Sequence, residues 1–343
     1  MEYGVLEYYF RSSNPCNPFN PCNHMNINIH FNSLKLKFIR MILIVLLLFM
    51  VVESYAQQDP MYTQYMENLM TINPAYAGSK DLLSMMAVSR NQWSGMAKAP
   101  VTRTFAIHSP ITNTNMGLGL SYLSDQIWPI KQNGLYLDYS YTLHLSTKGK
   151  LALGLKVGVN FYQAGLADLT TIDPNDPVFE SDINRSFLPN FGVGAFYHND
   201  HYYLGISVPK LIKNTINKTG FSSGKFDKEE IHLFLMSGYV FDLNRIVKFK
   251  PSVLTRYVYN APVSFDLNTT FLFYDRLWLG ALYRMGDAVG GLFQIQATEQ
   301  MKLGYSYDYP ISRLGAFNQG THEIMVSFDF SLEKDKVRSP RYF

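Results

Sequence analysis

The stretch LALGLKVGVNFY, residues 151–162, constrains this chain more than any other: its odd positions from Leu151 to Phe161 are apolar, and its even positions are Ala, Gly, Lys, Asn or Tyr. A period of two held over a stretch this long describes a strand with one greasy and one polar face. The greasy face must meet either a protein core or a lipid bilayer.

The pattern repeats along the chain. Alternating segments fall near 82–91, 101–109, 116–124, 133–145, 150–163, 189–198, 201–208, 230–242, 246–258, 262–274, 276–285, 288–298, 300–309 and 321–333. They amount to about fourteen strands, many of them near the roughly 9 to 11 residues that cross a bilayer at a tilt. With 47% hydrophobic and 17% charged residues in 343, composition permits a buried core or a greasy exterior equally.

Connection length breaks the tie. Short links (SPITNTN, STKG, ND, LNR, YD and Glu299) alternate with longer ones, including 164–188, 209–229 and 310–320. Short turns at one end and long loops at the other describe an up-and-down transmembrane barrel with both termini on the short-turn, periplasmic side. A secreted β-sandwich has no reason to keep that parity. The faces agree: Leu135, Leu137, Tyr139, Tyr141, Leu143 and Leu145 share one side of their strand, and Asp138, Ser140, Thr142 and His144 the other. In the last strand Ile324, Val326, Phe328, Phe330 and Leu332 oppose Glu323, Ser327, Asp329 and Ser331. Lys156, Asp138, Asp266, Lys302, Asp308 and Asp329 all stay on the polar side, as they must where a lipid-facing Lys or Arg at mid-bilayer would cost about 2 to 4 kcal/mol. The expected architecture is therefore all-β: a closed antiparallel barrel, with Leu151, Leu153, Leu155, Val157 and Val159 facing lipid and Lys156 and Asn160 facing the lumen.

Residues 1–56 are expected to be an upstream extension plus a secretory signal peptide, in which basic NSLKLKFIR runs into MILIVLLLFMVV and then ESYA, with Met41 as the start. The apolar run is shorter than the roughly 17 to 25 residues of a spanning helix. Both cysteines, Cys16 and Cys22, lie in this part, so the remainder is neither a disulfide scaffold nor a thiolate metal site. Residues 57–81 lack any spanning pattern and are dense in Tyr, Met, Asn and Pro; Met61, Tyr62, Tyr65, Met66, Leu69, Met70 and Tyr76 would face water unless this segment plugs the lumen or closes the periplasmic mouth. The barrel then covers 82–333, and a basic tail covers 334–343.

No local motif supports catalysis, and no cofactor or metal is expected. GxSxG, HExxH and GxxxxGK[ST] are all missing. Gly117-Leu118-Gly119 and Gly192-Val193-Gly194 read as strand packing. His198 and His201 flank Asn199-Asp200, a hairpin turn rather than a metal site. Asp173-Pro174-Asn175-Asp176 lacks the glycine and distal glutamate of a calcium loop. A net charge of +3 is too small to argue for nucleic acid. Two long loops carry opposite charge, Asp168, Asp173, Asp176, Glu180 and Asp182 against Lys210, Lys213, Lys218, Lys225 and Lys228; they form either a lid, a docking surface or two solvated loops.

The segments QQDPMYTQYMENLMTINPAYAGS (57–79), RNQWSGMAKAPVTRTFAIHSPI, GLGLSYLSDQIW, PNFGVGAFYHNDHYYLGISVPKLI (189–212) and the ending SPRYF resemble the PorP/SprF family of the type IX secretion system. The resemblance implies an outer-membrane barrel without enzymatic activity that works with other secretion components on the export or surface attachment of a large adhesin, including adhesins used in gliding. On motif and physics together, the positions nominated for partner contact are Asp59, Pro60, Tyr65, Asn73, Pro74, Arg90, Asn91, Gln92, Trp93, Asp173, Asp176, Lys213, Lys218, Arg341 and Phe343. The alternative is an outer-membrane channel or substrate-selective transporter, which shares the barrel and the plug.

Overall fold

The computed structural model describes residues 60–167, 169, 182–214, 229–259 and 261–330. The proposed leader, the tail 334–343 and most of the two charged loops lie outside them. Fourteen antiparallel strands close into a barrel. They are β1 (Leu83–Asn91), β2 (Val101–Pro110), β3 (Met116–Ile127), β4 (Ile130–His144), β5 (Lys150–Ala164), β6 (Ile183–His198) and β7 (Tyr202–Val208). Then follow β8 (His232–Tyr239, continued by Phe241–Asp242), β9 (Val247–Val258), β10 (Ser264–Phe273), β11 (Leu277–Arg284), β12 (Ala288–Gln296), β13 (Met301–Pro310) and β14 (Thr321–Phe330). Each pairs with its neighbours in sequence, and β1 pairs with β14 from Leu83↔Phe330 to Asn91↔His322, so no edge is left open.

The alternation sets the faces as the sequence leads one to expect. On β5, Leu155 is 59% exposed on the outer surface while Lys156 beside it is 4% exposed inside. Near the short-turn end the outer surface carries a run of neighbouring rings: Tyr197 with Tyr202, Tyr202 with Tyr239, Tyr239 with Phe241, Phe241 with Phe249, and Phe249 with Phe271. This is the aromatic girdle of a membrane interface.

Three boundaries differ from the sequence reading. β3 and β4 run on to Ile127 and from Ile130, leaving only Trp128-Pro129 between them. β6 begins at Ile183 rather than 189, so part of the expected 164–188 loop is strand. On β3 and β4 the outward residues turn polar (Ser124, Gln126, Lys131, Asn133), which removes the apolar alternation that marks a strand while leaving its backbone pairing intact; on β6 a register irregularity against β5 between Asn160 and Tyr162 interrupts the period of two.

Inside the barrel, residues 60–80 form a plug. It consists of the 3-10 turn Tyr65–Glu67, the helical turn Leu69–Ile72 and the 3-10 turn Pro74–Tyr76, which Asn73 caps by accepting from the Ala75 N–H at 3.0 Å. Tyr65, Leu69, Met70, Ala75 and Tyr76 share one apolar cluster with Met86 and Val88 of β1, Ala106 of β2, Phe196 of β6, Tyr203 of β7, Met236 of β8, Leu254 of β9, Leu292 of β12 and Met325 of β14. The plug therefore touches wall on all sides.

Candidate functional site

The polar inward face of the barrel is the plug's seat. Nearer the long-loop end, Arg90 of β1 donates to Asp308 of β13 (2.8 Å) and to Glu323 of β14 (3.0 Å). Arg284 of β11 holds Asp266 of β10 through paired contacts at 3.1 Å and reaches Asp308 at 3.6 Å. Two guanidiniums thus meet three carboxylates, each nearly inaccessible to solvent. Such a set is stable only if the remaining oxygens find donors. The plug supplies donors to two of the carboxylates: the Thr63 and Gln64 N–H groups each donate to Glu323 at 2.9 Å, one to each oxygen, and the Thr63 hydroxyl donates to Asp308 at 2.6 Å. Arg90 also donates to the Thr63 hydroxyl oxygen at 2.7 Å.

Two further contacts fix the rest of the plug. Toward the short-turn end, Lys302 of β13 donates to Glu67 at 2.7 Å. Burial alone would raise the Glu67 carboxyl, but the ammonium groups of Lys302, Lys250 and Lys80 outweigh it and hold it down at about 2. At mid-barrel, Lys156 pairs with Asp138 at 3.0 Å and donates to the Met70 carbonyl at 3.3 Å. Side chains of the wall satisfy the plug backbone elsewhere: Ser207 donates to the Ile72 carbonyl at 2.9 Å, Ser140 to the Ala77 carbonyl at 2.6 Å, and the Gly78 N–H donates to His108 Nδ1 at 3.1 Å. Each is a buried polar group answered by a buried polar group.

Glycines set how closely the plug can approach. A Cβ at Gly154 of β5 would sit 2.5 Å from the Ala75 Cα, and one at Gly194 of β6 would sit 3.1 Å from the Pro74 Cδ. The glycine-rich strand motifs therefore do pack, against the plug as well as their neighbours. A cavity of about 60 Å³ remains beside the plug, lined in part by Pro60, Tyr62, Thr104, Leu123, Tyr136 and Phe234.

The nominated positions separate into groups. Tyr65, Asn73, Pro74 and Arg90 are buried in contacts between plug and wall, with the Asn73 amide donating to the Ala195 carbonyl at 3.0 Å. Pro60 lines the cavity. Asn91, Gln92 and Trp93 lead into the first long-end loop, where the Trp93 N–H donates to Thr321 at 3.3 Å and the Ser94 N–H to the Gly320 carbonyl at 2.8 Å. Lys213 pairs with Glu230 at the base of its own loop, at 2.8 Å. Asp59, Asp173, Asp176, Lys218, Arg341 and Phe343 lie outside the described residues. Sequence reasoning missed Thr63, Gln64, Glu67, Arg284 and Glu323 as parts of one site; inward charges on otherwise greasy strands are the signal that points to them. Among the described residues there is no group of three His, Cys, Asp or Glu side chains placed to hold a metal ion.

A closed barrel with a lipid-facing apolar exterior, filled by its own N-terminal segment, is an outer-membrane protein with an internal plug. The chain belongs to the PorP/SprF family: the family model, described as type IX secretion system membrane protein PorP/SprF, matches residues 54–328. Solved structures similar to it in fold include Omp33 of Acinetobacter baumannii, at 10% identity and TM-score 0.44, with 74% of this chain and 100% of that one covered. A FadL homologue of Pseudomonas aeruginosa gives 11% identity and TM-score 0.44, over 77% of this chain and 94% of that one. A mutant of the monoaromatic hydrocarbon channel TodX gives 10% identity and TM-score 0.45, over 77% and 94%. No curated protein sequence matches the chain.

Proposed function

We propose that this barrel is a non-catalytic accessory of type IX secretion that holds or passes a large surface adhesin of the gliding type, and that it acts as a plugged scaffold rather than an open channel. The observation that supports a plugged scaffold over an open pore, beyond family membership, is the seat of the plug, where Thr63 and Gln64 donate to buried carboxylates on two strands, Asp308 of β13 and Glu323 of β14. The proposed leader would bring the chain past the inner membrane. Partner contact then falls to the aqueous ends, with the acidic connection between β5 and β6 and the basic 209–229 loop steering a partner in a salt-dependent way, and with the basic tail 334–343 available on the periplasmic side.

A clean deletion tests the reading, scored for adhesin at the cell surface, bulk secretion through the same system and uptake of small solutes. Loss of one adhesin with the other two intact is the expected result. Normal adhesin display with a solute-uptake defect would replace this reading with the channel.

A further inference from the structure

The outer surface is not uniform around the barrel. On β2 to β5 the lipid-facing residues change character at one level: Phe105 gives way to Arg103, Tyr122 to Ser124 and Gln126, Leu135 to Asn133 and Lys131, and Phe161 to Gln163. The register aligns these steps. Arg103 lies opposite Ser124, which lies opposite Asn133; one row nearer the long-loop end, Gln126 lies opposite Lys131, which lies opposite Gln163. On the far wall the outward positions stay apolar to the strand ends, at Leu233, Tyr257, Phe265, Tyr283 and Val289. The β2–β5 wall thus rises out of the hydrocarbon into the headgroup layer.

The charge of that band is one-sided. Among the described residues, the outward strand positions carry Arg103 and Lys131 as their basic side chains and no carboxylate, and neither of the two forms an ion pair. A surface that faces only water has no reason to exclude acids from the same rows. Just above, Trp128 at the tip of the β3–β4 hairpin is half exposed, with the Lys98 ammonium 3.1 Å from its ring centroid. Tryptophan beside cations is the composition of a membrane interface. Strands lie about 4.8 Å apart, so Arg103 and Lys131, two strands and one row from each other, are placed to meet separate phosphates of a single large headgroup.

We infer that the outer faces of β2 to β4, through Arg103, Lys131 and Lys98 beside Trp128, bind a phosphate-bearing glycolipid of the outer leaflet. This places the long-loop end at the cell surface, as the loop lengths require. The site holds the barrel at a fixed depth on one wall and leaves the opposite wall free.

Native mass spectrometry of the full-length protein in detergent tests it, with bisphosphorylated lipid A, its phosphate-free counterpart and phosphatidylglycerol as probes. The expected order is bisphosphorylated lipid A well ahead of the phosphate-free form. The double variant Arg103→Gln/Lys131→Gln should lose roughly tenfold in affinity for it, on the scale of one to two charge-assisted contacts. Excess inorganic phosphate should leave the bound lipid in place. Equal retention of the phosphate-free lipid by the unaltered protein would overturn the inference without recourse to any variant. So would unchanged binding by a double variant that keeps its heat-dependent gel migration, and preference for phosphatidylglycerol would overturn the leaflet.

Discussion

Arg90 stands between Glu323, Asp308 and the Thr63 hydroxyl, so its truncation leaves Glu323 buried with two backbone donors and no cation. Breaking a buried pair from one side costs about 3 to 5 kcal/mol. Arg90→Ala should lower the unfolding temperature of the detergent-solubilised protein and expose residues 60–80 to protease, whereas Arg103→Ala, on the outer face, should do neither. The Glu67–Lys302 contact supplies a pH test. Because the Glu67 carboxyl is held down at about 2, its contribution is complete above the ordinary carboxylate range and is lost only as the pH falls toward that value. The difference in plug protection between the unaltered protein and Glu67→Gln should therefore be the same at about pH 8 and about pH 5; a difference that shrinks within that window would mean that Lys302 does not hold Glu67 in this way.

The strands were legible because a membrane barrel writes its structure in a period of two, and β5 shows this most plainly: a lipid-facing row of Leu and Val interrupted inward by Lys156. Legibility failed where the environment outside the wall changed. At Ser124, Gln126, Lys131 and Asn133 the outward face meets headgroups and water, so no apolar contrast remains to mark a strand that pairing still maintains. The plug was legible as a segment too greasy for water, but its seat was not. Arg90 in RNQW reads as a surface motif until β13 and β14, more than two hundred residues away in sequence, are brought beside it. Glycines at 154 and 194 likewise look like ordinary strand residues until the plug backbone is seen against them. Gly154→Val should suit the strand by propensity yet drive Ala75 off the wall. The expected outcome is a barrel with normal heat-dependent gel migration and a protease-sensitive plug; a plug that stays protected would show that the wall yields instead.

At the scale of the whole molecule, closure does two things at once. It removes every strand edge from the lipid, and it creates a polar lumen whose buried charges require partners. The chain meets that requirement from its own N-terminal segment, with Glu323 and Asp308 answered by Thr63 and Gln64, Lys302 by Glu67, and Lys156 by the Met70 carbonyl. In the proposed scaffold reading this plug keeps the lumen closed. Single-channel recording in planar bilayers tests this most directly, comparing the barrel carrying its plug with a form lacking residues 60–78. The account predicts a silent membrane with the intact protein and discrete conductance steps once the plug is gone. Steady conductance from the intact protein, equal to that of the deleted form, would contradict it.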